Sequence, residues 1–151
     1  MLLQRISRSD PEKVFIVVKN GYTTASLTNG QPVMWDMGDA DGVSVSIPSA
    51  AFKRGHAFAG IAAETIAAGD YGLIQVYGYH SAVIVDSSTT ADIYTGAPLY
   101  MSVNAFNLEG PYLASGTTDE VYFDARAVAC ALEAYGSVGT TGTIKAQIFA
   151  M

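Results

Sequence analysis

Few residues in this chain have side chains able to do bond-making chemistry. There are two histidines, His56 and His80, and one cysteine, Cys130. A Cys130–His80 dyad would need a polar, electropositive surround to lower the thiol pKa. Cys130 instead stands among alanines and valine, the setting of a buried, inert thiol. His56 follows Lys53 and Arg54 in a polar stretch and reads as a solvated loop residue. The sequence holds no G-x-S-x-G elbow, no H-E-x-x-H pair and no phosphate loop. The acidic run Asp36-Met37-Gly38-Asp39-Ala40-Asp41-Gly42 invites a calcium reading, but its spacing fails. Aligned on Asp39, Asp41 and Gly42, an EF-hand loop would have Met37 at its first ligand position and Pro48 at its last. The run reads as an Asp-Gly turn feeding a strand. The expectation is a protein that is not an enzyme and carries no cofactor or metal.

Aromatic residues are the other chemical resource. Nine tyrosines and Trp35 could line a face that stacks on sugars. Tyr71, Tyr77 and Tyr79 share one face of a single strand, where the competing use is packing a sheet or a subunit interface.

The element that must position them runs from Phe58 to Asp86. Its centre, Tyr71 to Tyr79, is rich in β-branched, aromatic and aliphatic residues and predicts a strand. Ile74 and Val76 point to one face; Leu73, Gln75 and Tyr77 point to the other. After a short break, Ala82 to Val85 forms a second apolar run, closed by the polar cluster of residues 86–90. Around this centre the chain alternates short apolar runs with turn signals. Val14 to Val18 is almost wholly β-branched and predicts a strand. Asn20-Gly21 and Asn29-Gly30 have hairpin-turn chemistry, with Tyr22 to Leu27 as a short returning strand and Pro32 to Trp35 as another extended piece. Val43 to Ile47 alternates strictly, and Leu99 to Val103 follows the turn at Gly96-Ala97-Pro98. Residues 107–111 and 115–118 read as turns, and Val121-Tyr122-Phe123 begins the last strands. Alanine content in 125–134 argues for a helix. Period two, however, places Ala127, Ala129 and Ala131 on one face, so a hairpin with residues 144–149 around the Gly-Thr loop is preferred. The expected fold is all-β: a small single-domain β-barrel or β-sandwich of many short strands (residues 14–151) with an extended N-terminal arm (residues 1–13).

Composition narrows the function class. The chain has 151 residues, enough for one domain with a sizeable core. Charged residues are only 15%, below the ~25% usual in soluble domains, which leaves weakly charged surface for a partner to cover. The net charge of −6 disfavours nucleic acid, whose phosphates need clustered Lys and Arg. Arg5, Arg8, Lys13 and Lys19 are half of the eight basic residues and form a mildly basic arm on an acidic body. Such an arm could reach a neighbouring subunit. A lone cysteine excludes an intrachain disulfide framework and fits a reducing cytosol. Met1-Leu2-Leu3 is too short for a signal-peptide core, and no run approaches a membrane span, so a soluble protein is expected.

Three stretches, DPEKVFIVVKNG, AGIAAETIAAGDYGLIQVYG and ARAVACALEAYGSVGTTGTIKAQIF, resemble the small β-rich decoration, or cement, proteins of tailed-bacteriophage capsids. The shared features are a Gly-Leu-Ile-Gln-Val-like strand after a Gly-Asp turn, and an Ala-Leu-Glu-Ala-like segment before a glycine loop and final strand. The resemblance implies a structural virion protein made in the host cytoplasm and placed on the capsid outer surface. It implies the major capsid protein as partner, a homo-oligomer with a trimer favoured, and head stabilisation against internal DNA pressure. Arg5, Arg8, Lys13, Tyr71, Tyr77 and Tyr79 are the candidate contact residues. A virion-associated module that binds a glycan receptor is the alternative.

Overall fold

The computed structural model describes residues 12–39, 41–48, 57–87, 92–102, 105–110, 126–136 and 139–150. They are all-β: β1 (Lys13–Asn20), β2 (Pro32–Trp35), β3 (Ser44–Ser46), β4 (Phe58–Ala62), β5 (Tyr71–Asp86), β6 (Pro98–Met101), β7 (Leu108–Glu109), β8 (Ala129–Ala131) and β9 (Thr141–Phe149). Arg5 and Arg8, the loop with Lys53, Arg54 and His56, the turn at 115–118 and the strand start at 121–123 lie outside the described residues.

The strands form one sheet in the order β1-β3-β2-β4-β5-β7-β6-β8-β9, with β5 also paired to β1 and to β9. The extra pairings make the sheet close on itself twice. One ring runs β1-β3-β2-β4-β5 and a second runs β5-β7-β6-β8-β9, so β5 belongs to both. The expected all-β fold of many short strands is present, with the strands closed into two small fused rings and not into one clean barrel. Each has its own core. Val18, Leu27, Val33, Val45, Ala62, Ile66 and Ile74 fill the first. Val83, Val85, Ile93, Leu99, Leu108, Ala131 and Ile144 fill the second, joined by Met34, Phe58 and Ile61 from the first ring.

The two rings are built alike. Lys19 pairs with Tyr71, Val18 with Gly72, Val17 with Leu73 and Ile16 with Ile74. In the second ring Asp86 pairs with Thr141, Val85 with Gly142, Ile84 with Thr143 and Val83 with Ile144. Pro32 pairs with Ile61 and Val33 with Gly60, matching Pro98 with Cys130 and Leu99 with Ala129. The bridge Leu27–Ile66 has its counterpart in Ile93–Tyr135. Backbone bonds repeat too: Gly30 N–H to Ala62 O at 2.8 Å and Gly96 N–H to Ala131 O at 2.8 Å, and Asn20 N–H to Asp70 O against Ser87 N–H to Thr140 O. The described parts of residues 13–76 and 80–149 are two copies of one supersecondary unit.

Several sequence expectations need correction. The break near residue 80 is a register shift between His80 and Val83 within one 16-residue strand. A bulge absorbs an extra residue without ending the ladder, so the strand crosses from one ring to the next. Gly78, at φ +97°, lies where a Cβ would overlap the Glu12 carbonyl oxygen, so only glycine fits the crossing. Neither Asn-Gly pair closes a hairpin. After Asn20 the chain forms turns, and Leu27 makes only its single bridge. The Asn20 side chain holds this course, donating to Ala25 O and Ile66 O and accepting from Tyr22 N–H. The predicted strand Val43 to Ile47 shortens to β3. The Asp41 carboxylate takes the Val43 and Ser44 N–H groups, leaving Val43 only its carbonyl to pair with the Lys19 N–H of β1. Residues 107–111 contain β7, so that turn is part strand. The Ala-rich segment is a strand as expected: β8 pairs with β9 in a hairpin, and its Ala129 and Ala131 are buried.

Candidate interaction surface

The three tyrosines singled out from the sequence do lie on β5. Tyr71 is 65% exposed, Tyr77 is 37% exposed and Tyr79 is half-buried. Lys13 opens β1, pairs with Gly78, and holds its ammonium 5.8 Å from the Tyr79 ring centroid, a cation–π arrangement. The β1/β5 ladder brings further apolar side chains to this outer face: Phe15 and Val17 from β1, and Leu73 from β5, all exposed. Phe15 and Val17 carried no site assignment in the sequence reading. Their exposure could not be read from β1, where five apolar residues run without alternation.

Gln75 was expected on that face and is fully buried instead. Its amide donates to Tyr77 O at 3.1 Å and Tyr79 O at 3.0 Å, satisfying carbonyls beside the crossing point. A buried amide with both N–H groups used is a structural strut. His80 lies nearby and is buried. Its Nδ1 accepts from Ala82 N–H at 3.2 Å, and its ring also bonds the Ala62 backbone. Burial, and then the Lys13 charge, push the imidazole pKa below its ordinary value, against the smaller opposing effect of the Ala62 bond. The ring is neutral at pH 7. A cleft of about 190 Å³ between the two units is lined by Lys13, Phe15, Asn29, Gln75, His80 and Ser81. Its buried polar groups already have partners within the chain, so they are not free to hold a ligand.

Cys130 is half-buried rather than buried, and its thiol points to the Ala131 carbonyl at 3.7 Å. His80 pairs with Ala146 and Cys130 with the next residue, Gln147. Two strand spacings, about 10 Å, therefore separate them, too far for proton transfer. Asp41 has its pKa lowered to about 2 because its carboxylate accepts from the Ser44 and Val43 N–H groups and the Ser44 hydroxyl. This is an acceptor spent on a turn. Among the described residues no group of three His, Cys, Asp or Glu side chains could hold a metal, and no helix is long and apolar enough to cross a membrane.

The second unit supplies an internal control for the exposed face. Where the first has Val17, Tyr71 and Leu73, the second has Ile84, Thr141 and Thr143 at paired positions. The same backbone thus presents a hydrophobic face in one ring and a mostly polar one in the other. Sheet formation alone does not require the apolar residues.

No family model matches the chain, and no curated protein matches it. Among solved structures it is similar to a chain described as the head fiber gp8.5 N base in bacteriophage phi29. The two share 15% identity, with 92% of this chain and 96% of that chain covered and a TM-score of 0.48.

Proposed function

We infer that the protein is a structural component of a phage head, a decoration protein that works through contact area. The observation that carries this reading is the exposed face formed by Phe15, Val17, Tyr71, Leu73 and Tyr77 on a two-ring β-scaffold. Its partners are the major capsid protein and further copies of itself, with a trimer favoured, and its place is the capsid outer surface. The sequence resemblance to cement proteins supplies the head; the apolar face supplies the means of attachment. Five side chains of this kind expose on the order of 500 Å² together, enough for the hydrophobic centre of an interface in which each partner buries about 800 Å². Repetition over a symmetric shell multiplies such modest contacts.

The glycan alternative rests on Tyr71 and Tyr77. Their neighbours on the face, Val17 and Leu73, are aliphatic and offer a sugar no ring to stack on and no hydrogen bond. The mixture suits a protein partner better.

Replacing Tyr71 and Leu73 by threonine, the residue type at the paired positions of the second unit, tests the reading. The double variant should keep the β-sheet CD spectrum and lose co-sedimentation with phage heads produced without this protein. Co-sedimentation unchanged from that of the parent chain would remove this face from the function. A parent chain that itself stays in the supernatant would overturn the decoration reading.

A further inference from the structure

The two units of one chain meet through a specific contact. Among the described residues the equivalent of each half, one on β1 and one at the Thr95-Gly96 turn, is left open. Within the chain, the turn at Asn29-Gly30 of the first unit lies on the edge of β5 in the second. Ile84 donates its N–H to Gly30 O at 2.9 Å. The fit is close enough that a Cβ on Gly30 would overlap the Ala82 carbonyl oxygen and touch Ile84. Met34 and Ile61 of the first unit are buried in the second unit's core beside this turn.

Among the described residues, each partner in that contact has a counterpart with nothing on it. The strand edge at Ala82–Ile84 corresponds to Phe15–Val17 in β1, since Ile84 faces Thr143 as Val17 faces Leu73. Leu73 gives its N–H to Glu64 Oε1 and its carbonyl to Ala63 N–H. It therefore does not bond Val17, whose own N–H and C=O point away from β5 along an open edge. β3 covers that edge only at Lys19–Asn20. Among the described residues no bond reaches the Val17 N–H, and its side chain is 63% exposed. The turn Asn29-Gly30 corresponds to Thr95-Gly96. Gly96 has φ +87° where Gly30 has +90°, yet a Cβ on Gly96 would meet nothing within 4 Å. The side chains flanking it follow suit: Tyr94 is exposed, and Tyr100 and Cys130 are half-buried where Met34 and Ile61 are buried.

We propose that the Thr95-Gly96 turn of one copy docks on the β1 edge at Phe15–Val17 of a second copy, repeating between chains the contact that joins the two units within one. This rests on the homo-oligomeric part of the proposed function and names the surface through which it forms. The contact is heterologous, so a closed assembly is a ring. A ring of three chains would carry six equivalent units. The open β1 edge, an aggregation hazard in a free chain, is then covered by design of the repeat.

Cysteine cross-linking in a Cys130→Ser background tests this. Val17→Cys and Thr95→Cys chains, prepared separately and then mixed under mild oxidation, should give a disulfide-linked heterodimer, while either chain alone should not cross-link. Val17→Asp should convert the oligomer to a monomer by light scattering with unchanged CD. A Val17→Cys chain that cross-links to itself indicates face-to-face pairing and overturns the proposal. An oligomer that survives Val17→Asp, with no cross-link in the mixture, overturns this contact while leaving oligomerisation standing. A parent chain that is monomeric overturns both. A Val17→Cys thiol that is protected in a monomer and freed by deleting residues 1–11 assigns the edge to the chain's own N-terminal segment, and also overturns the proposal.

Discussion

The first and second units share a backbone and differ in what they show to solvent. Their common part is buried or conformationally forced: Val18 against Val85, Leu27 against Ile93, Val33 against Leu99, and the paired turns at Gly30 and Gly96. Their different part lies on the outer face: exposed Val17, Tyr71 and Leu73 against half-buried Ile84 and exposed Thr141 and Thr143. Core positions are held by close packing, where one methylene is felt. Outer positions are free of that constraint, so apolar residues retained there point to a contact. The second difference is directional. The first unit's turn is covered by the second unit, and among the described residues nothing covers the second unit's turn.

The comparison breaks most decisively in the cores. Leu27→Ala and Ile93→Ala each remove a fully buried side chain from an equivalent bridge and should each cost about 2–5 kcal/mol in urea denaturation. Because β5 runs through both rings and Met34 and Ile61 enter the second core, either variant should unfold in one transition. Two separate transitions would show that the rings are independent domains.

The turns give the next largest effect and test the asymmetry directly. Gly30→Ala combines a left-handed φ with overlap on the Ala82 carbonyl and should cost about 2–4 kcal/mol. Gly96→Ala in a dissociated chain meets only the backbone strain and should cost about 1–2 kcal/mol. Equal costs, measured on monomeric protein by chemical denaturation, would remove the distinction between the covered and the open turn.

The smallest effect concerns His80 at the crossing. Its folded pKa lies below the ordinary value of 6.5, so the unfolded chain binds the extra proton first as pH falls. The neutral-ring stability is fully present above pH 6.5 and declines below it, until the folded ring also protonates. Thermal melts should show this decline for the parent chain and lose it for His80→Gln. A parent melting temperature flat from pH 7 to 5 would place His80 outside the coupling between the units.

Much of the strand content was legible because local chemistry decided it. β2 is the predicted Pro32 to Trp35, β1 follows its β-branched run, and β9 alternates as read, with Ile144, Ala146 and Ile148 inward. The duplication was also written in the residues, though faintly. Leu27-x-x-Gly30-x-Pro32 recurs as Ile93-x-x-Gly96-x-Pro98, and Ala62-x-Glu64-x-Ile66 as Ala131-x-Glu133-x-Tyr135. Too few side chains coincide to stand out without the paired bridges. Of the candidate surface, the placement of the three tyrosines on one strand was legible, whereas the exposure of Phe15 and Val17 was not.

The sequence alone determined an all-β chain of many short strands, because strand propensity and turn residues are properties of near neighbours. Only the tertiary structure decided which Asn-Gly pairs turn without forming hairpins, that one strand serves two rings, and which apolar residues of β1 face water. Those outcomes depend on pairing between residues far apart in the chain. Adjacent residues of an unbroken apolar strand carry no mark of which face the rest of the fold will cover.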